Sequence, residues 1–456
     1  MPEIVNPATG KIIKERAWDT SEVVERKLNA AAQAFTHWRE LNFEQRGAHL
    51  KAVARQLRED KALHSALMTA EMGKPVKEAD GEVEKTAWAA EHYAEHAHTY
   101  LASQTIESDA TRSWVQYLPL GTVLGILPWN SPYWLAARVF APALMAGNTV
   151  IIKHDSHVPG CADAIEEAFR KAGVPEGVLQ TLVVDNDTAG ALIRDPRTAA
   201  VSFTGSTGGG KQVAALAAGE IKPAVLELGG SDPAVILADA DLDQAVDTVA
   251  LSRFICAGQS CIAAKRILVE ESVYPEVVEK FRKRLEGLKV GDPTQPDTDI
   301  GPMARADLRD QLHRQVEDSI QAGARCLLGG EIPNKPGSFY PVTLLTDVPR
   351  DAAAFTEETF GPVAALTPVK DADDAIAVAN ATQYGLAAAV WTTAERGKAL
   401  APRFEAGQVA INGIVKTDPR LPSGGIKKSG YGRELGMPGI HEFVNAQQVW
   451  LGPKRG

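Results

Sequence analysis

Short apolar runs alternate with amphipathic stretches through the middle of this chain, and that alternation most limits its fold. GNTVIIKH, GVLQTLVV, AVSFTG and PAVLELGG read as buried strands, with CADAIEEAFRKAG and GGKQVAALAAG as the helices between them. Strands that are apolar on both faces and separated by helices imply a mostly parallel α/β sheet. A second α/β region begins near LELGGSDPAVILAD. Its helices fall over DLDQAVDTVALSRFI and YPEVVEKFRKRLEGL, and its strands at GPVAALTPV, AAAVWTT and QVAING. The length of 456 residues is about three times that of a common domain, so two substantial domains are expected.

Before these regions, residues near 20 to 104 carry alanine-rich, charged stretches with helical spacing, and SWVQYLPLGTVLGILPWN then changes to strands and turns around Gly121 and Gly125. His92 and His96 share one helical face without an acidic partner in the pattern, so a packed or surface helix is expected there, and no metal. The formal charge of −10 argues against nucleic acid as a partner. No apolar run reaches membrane-spanning length, and the start MPEIVNPATG lacks a secretory pattern. Cys161, Cys256, Cys261 and Cys326 are scattered. That spacing suits neither a disulfide framework nor a thiolate metal site, and a reducing cytoplasm is expected.

The chemistry concentrates on Cys261 in GQSC and Glu227 in VLELGG. A deprotonated cysteine can attack an aldehyde to give a thiohemiacetal, whose oxyanion needs donors. Asn130 in PWNSP and the backbone N–H of Cys261 are candidates for these. Hydride departure to a nicotinamide would leave a thioester, and Glu227 would then take a proton from water to release the acid. FTGSTGGG, residues 203–210, offers a strand-to-helix turn for a pyrophosphate without the usual GxGxxG pattern, so a plain tight turn stays open. Lys153 after TVII is a ribose or phosphate candidate, and Glu358 with Phe360 in EETFGP is a candidate for the nicotinamide side. Cys161 and Cys256 read as core residues.

Taken in order, PWNSP, FTGST, ELGG, GQSC, EETFGP and PSGGIKKSGYGRE resemble the aldehyde dehydrogenase superfamily over essentially the whole chain. The resemblance implies a Rossmann-like cofactor domain in two parts (1–104 and 125–228) and an α/β catalytic domain (229–413). It also implies a small strand-based oligomerisation element (105–124) and a C-terminal closure and oligomerisation segment (414–456). Homodimers or homotetramers are implied. Asn130 is similar to the family's oxyanion donor, Glu227 to its general base and Cys261 to its nucleophile. Pro128, Trp129, Lys153, Ser156, Gly205, Ser206, Glu358 and Phe360 correspond to cofactor contacts.

Within the family, the short chain and its endings GYGRELG and GIHEFVN resemble bacterial succinate-semialdehyde dehydrogenases. Arg138 stands eight residues after Asn130, where semialdehyde members hold the substrate's distal carboxylate. A helix-surface or interdomain salt bridge is its other reading. Trp134 and Ile262 are candidates for the substrate entrance. A second substrate Arg of some relatives is replaced by Ile255, with Arg253 or Arg420 as possible compensation. KHDS replaces the frequent KPSE, so Ser156 stands where Glu often repels the added phosphate of NADP. NADP competence is therefore favoured without excluding NAD. PSGG replaces PFGG, so Ser423 is expected to tune the C-terminal packing or the tunnel rim. A broad aliphatic or aromatic aldehyde dehydrogenase and a noncatalytic dinucleotide-binding scaffold remain open.

Overall fold

Two parallel-rich sheets carry Glu227 and Cys261 at their strand ends and loops, and a third, smaller sheet stands apart from them. The computed structural model describes residues 3–453, so the first two residues of the assigned 1–104 part and the last three of 414–456 lie outside it. The first sheet has six strands in the spatial order Gly430–Tyr431, Ala224–Glu227, Thr198–Thr204, Thr122–Leu127, Thr149–His154 and Leu179–Leu182. All pairs are parallel except the short C-terminal strand, which runs antiparallel to Ala224–Glu227. From strand Thr122–Leu127 the chain winds outward through two strands, then returns to place Thr198–Thr204 on its other side. That reversal opens a crevice at the carboxyl ends of these strands, where open α/β sheets bind ligands.

The second sheet has seven strands in the order Arg325–Leu328, Thr343–Thr346, Val363–Val369, Ala264–Glu270, Asp232–Ile236, Ala387–Trp391 and Gln408–Ile411. It too is parallel apart from its first edge strand. ELGG crosses from the end of the first sheet into this one, so Glu227 lies at the junction. The helix Pro132–Met145, which connects strands Thr122–Leu127 and Thr149–His154, is buried on every side, as its nearly unbroken apolar sequence requires. Glu82 of the long helix Val76–Tyr100 accepts hydrogen bonds from Tyr133 N (2.9 Å) and Trp134 N (3.1 Å), satisfying donors that a helix start leaves free.

The third sheet joins Gln104–Ile106, Arg112–Pro119 and Val444–Leu451. The 105–124 assignment therefore extends too far at its end. Thr122–Leu127 belongs to the six-stranded sheet, and the break falls at Gly121, whose φ of +145° and close approach to Ala199 turn the chain. His92 and His96 stack with ring centroids 4.4 Å apart, and His92 Nε2 bonds to the Tyr100 hydroxyl (3.0 Å). Among the described residues no group of three or more His, Cys, Asp and Glu could hold a metal ion.

Candidate active site

A cavity of about 490 Å³ opens at the crevice of the six-stranded sheet. Pro128, Trp129 and Asn130 line it from the end of one strand, and Gly205 and Ser206 from the end of its neighbour. Cys261 reaches it from the second sheet, in the loop before strand Ala264–Glu270, and Glu358 and Phe360 close it from the opposite side.

The local chain explains why Asn130 and Cys261 meet here. Asn130 Nδ2 donates to Gln259 O (3.0 Å), two residues before the cysteine, which leaves its second amide N–H for another acceptor. From behind, the buried Lys74 donates to Asn130 O (2.8 Å) and pairs with Glu82. The turn before Gln259 holds Cys256 and Ala257 at φ of +55° and +52°, conformations L side chains rarely adopt, and Glu78 Oε2 pins the Cys256 N–H at 2.8 Å. Cys256 and Cys161 are buried, as core residues.

Burial pushes the Cys261 thiol up to about 11, with Lys265 and Arg138 pulling against it. Lys265 is fully buried, and its ammonium donates to Cys261 O (2.6 Å) and Ser260 O (2.8 Å) and pairs with Glu358 (3.2 Å).

Behind Cys261 lies a closed ionic group. Glu227 Oε2 accepts from Arg138 Nη2 at 3.0 Å, and Arg138 Nε lies against Glu434. All three are buried. Burial raises the Glu227 carboxyl to about 7, with Arg138 opposing this and Glu434 adding to it. Burial works against the charge on Arg138, yet Glu434 and Glu227 hold its pKa above the ordinary range. Ser423 Oγ completes the group, accepting from Arg138 Nη2 (3.3 Å) and Gln408 Nε2 (3.3 Å).

The residues on the cavity's other side fit a dinucleotide. Ser206 N-caps the helix Thr207–Gly219, accepting from Gly209 N (3.1 Å), and a Cβ on Gly208 would meet nothing within 4 Å, so the helix's first turn is open to an anion. A Cβ on Gly229 would sit 2.3 Å from Glu358 Oε2, so ELGG clears the space this carboxylate occupies. Trp129 and Phe360 meet edge to face, with centroids 5.9 Å apart, as an apolar wall for a flat ring.

The family model described as the aldehyde dehydrogenase family matches residues 2–449. The chain belongs to the aldehyde dehydrogenase family. A protein of Synechocystis named "Probable succinate-semialdehyde dehydrogenase", with NADP+ as its named cofactor, is 48% identical over 98% of this chain and 99% of its own length. The succinate semialdehyde dehydrogenase of Escherichia coli, named for NAD(P)+, is 43% identical over 98% of this chain and 97% of its own. The crystal structure of succinic semialdehyde dehydrogenase from Streptococcus pyogenes, in complex with NADP+, superposes with a TM-score of 0.96 at 35% identity, covering 99% of both chains.

Several candidates sit elsewhere in this aldehyde dehydrogenase than the sequence suggests. Arg138 pairs with Glu227 and Glu434, the salt-bridge reading, while its Nη1 makes no hydrogen bond among the described residues. Arg253 cannot replace a missing substrate Arg, because it is buried and donates to the carbonyls of Gly258, Thr359, Gly361 and Val363. Arg420 pairs with Asp418 at the surface. Ile262 borders a narrow crevice with Thr248, Ser252 and Val415, apart from the main cavity.

Lys153 is the last residue but one of its strand, with a pKa lowered by burial, and Ser156 is half-buried three residues on. Trp134 is buried, and its Nε1 donates to Thr417 Oγ1 (2.9 Å). Sequence reasoning missed Lys74, Lys85, Lys265 and Glu434. Lys265 carried a usable signal, as one of two adjacent cations in the buried strand AKRILVE.

Proposed function

We propose that this aldehyde dehydrogenase oxidises succinate semialdehyde to succinate with NADP, NAD serving as a second cofactor. The observation that carries the reading is Arg138, a buried guanidinium bonded to Glu227 behind Cys261. Its Nη1 makes no hydrogen bond among the described residues, so a substrate carboxylate can use it without breaking the Glu227 contact. The names of the 48% and 43% identical relatives support the same substrate. Ser156 supports NADP because a neutral hydroxyl beside Lys153 does not repel an added phosphate.

In this reading, Lys265 and Arg138 favour the Cys261 thiolate, which attacks the aldehyde carbon. The carbonyl oxygen becomes an oxyanion and takes hydrogen bonds from Asn130 Nδ2 and the Cys261 N–H. Glu358, Phe360, Trp129, Pro128, Gly205, Ser206, Lys153 and Ser156 would hold the dinucleotide, whose nicotinamide supplies hydride-accepting chemistry when bound. Oxidation of the thiohemiacetal leaves a thioester on Cys261. Glu227, with its pKa near 7, takes a proton from water as the water attacks, and the cysteine departs as thiolate.

The domain division above, with its boundary moved to Gly121, remains part of this reading, as does a reducing cytoplasm. The strand-based element would pair subunits into a homodimer or homotetramer, an assembly supported by the exposed apolar side chains of Ile106, Trp450 and Leu451 on its sheet.

The test is steady-state formation of reduced nucleotide from succinate semialdehyde and from butanal, with NADP and with NAD, beside a Cys261→Ala control. Preference for the carboxylated aldehyde, absent in the control, is expected. Preference for butanal would move the reading to a broad aldehyde dehydrogenase, and silence across an aldehyde panel would favour a binding scaffold.

A further inference from the structure

Lys85 rests on a hydroxyl and an aromatic ring. It projects from helix Val76–Tyr100, is half-buried, and donates to Thr417 Oγ1 at 2.9 Å. Its ammonium lies 4.1 Å from the centre of the Trp134 ring, and Trp134 Nε1 donates to the same hydroxyl. No carboxylate pairs with it among the described residues. Glu82, one turn earlier on its own helix, is held by Lys74 and by the start of helix Pro132–Met145. Asp418, next to Thr417, is held by Arg420 (2.7 and 2.8 Å).

Trp134 and Arg138 are four residues apart on one helix and so project from the same face, and the Lys85 ammonium stands over the Trp134 ring. Burial lowers the Lys85 pKa to about 8, and Arg138 and Lys416 add to this while Glu82 and Asp418 oppose it. A partly desolvated ammonium beside a guanidinium, with only a hydroxyl and an indole face for company, is an arrangement that an anion stabilises.

We propose that Lys85, with Thr417, is the second cationic element of the site that holds the substrate's distal carboxylate, stacked on Trp134, which precedes Arg138 by one turn of its helix. The inference rests on the substrate reading above and adds the residue that would set its specificity. In this chain the second cation comes from helix Val76–Tyr100. The ligand class is a short aldehyde with a carboxylate at its far end. A neutral aldehyde of equal length would leave Lys85 unpaired.

The experiment compares wild type, Lys85→Met and Lys85→Arg on succinate semialdehyde and butanal, with succinate as a product inhibitor. Lys85→Met is expected to raise KM for succinate semialdehyde and the inhibition constant for succinate by about tenfold or more, with kcat and the butanal constants nearly unchanged. Lys85→Arg is expected to restore most of the loss. If Lys85→Met does not fold, Lys85→Gln carries the same comparison.

Equal changes for both aldehydes, or an unchanged preference, would overturn the role of Lys85 while leaving the substrate reading intact. A wild-type enzyme that does not discriminate between the aldehydes would instead overturn the substrate reading, and the role of Lys85 with it.

Discussion

The two sides of Cys261 are built on opposite principles. In front, the cavity is made by removing side chains. Gly229 and Gly205 leave room, a helix start presents its N–H groups, and Trp129 and Phe360 supply flat apolar walls. Behind, Arg138, Glu227, Glu434 and Ser423 fill the space with charge and hydrogen bonds. A ligand that arrives and leaves each turnover needs room and weak, distributed contacts. A base that must gain and lose a proton in a buried place needs fixed charges that set its proton affinity.

The most severe way to break this contrast is to remove the cation shared by two buried carboxylates. Arg138→Met is expected to cost about 3–5 kcal/mol in urea unfolding, since breaking a buried pair leaves its partner uncompensated. It should also slow both aldehydes, because Glu227 loses the contact that favours its ionised form, and slow succinate semialdehyde more than butanal, because its carboxylate loses the guanidinium. Next in size is Asn130→Ala, expected to lower kcat about 10²- to 10³-fold, as loss of an oxyanion donor does, with nucleotide affinity unchanged in a fluorescence titration.

On the cavity side, Gly229→Ala would force Glu358 aside and is expected to weaken nucleotide binding about tenfold, with an unchanged rate of Cys261 alkylation.

The smallest effect is a pH shift. Glu227 acts as a base when ionised, so thioester hydrolysis should rise with pH through about 7. Glu434→Gln removes a like charge, lowers the Glu227 pKa and should move that limb to lower pH in single-turnover measurements. Because the folded pKa is raised above the unfolded one, Glu227's contribution to stability is fully present at pH values below the ordinary carboxyl range. It is lost as pH rises through about 7.

The same contrast explains what could be read from the sequence. PWNSP, FTGST, ELGG and GQSC were legible because close approach and strand-to-helix turns demand small residues at fixed local spacing. The parallel sheets were legible because strands buried on both faces read as continuous apolar runs. The ionic group was not, because Glu434 joins Arg138 and Glu227 only through tertiary packing, and no local period connects them. Lys85 was hidden among the other charged residues of one amphipathic helix, of which Lys77, Glu84 and Glu95 are exposed, and nothing in the local pattern separates it from them. The misplaced end of the strand-based element has a similar cause. Gly121 and Gly125 both read as turns, but Gly125 lies inside a strand, packed against Val139 and Ile152.

The central claim is that Cys261 carries the acyl group and Glu227 releases it. The most direct measurement is mass spectrometry of a Glu227→Gln enzyme mixed with succinate semialdehyde and NADP, alongside the amplitude of reduced nucleotide formed in the first turnover. The account predicts one burst per active site and a succinyl group on the peptide bearing Cys261. A burst with no acyl group on that peptide, or undiminished steady turnover in Glu227→Gln, would contradict it.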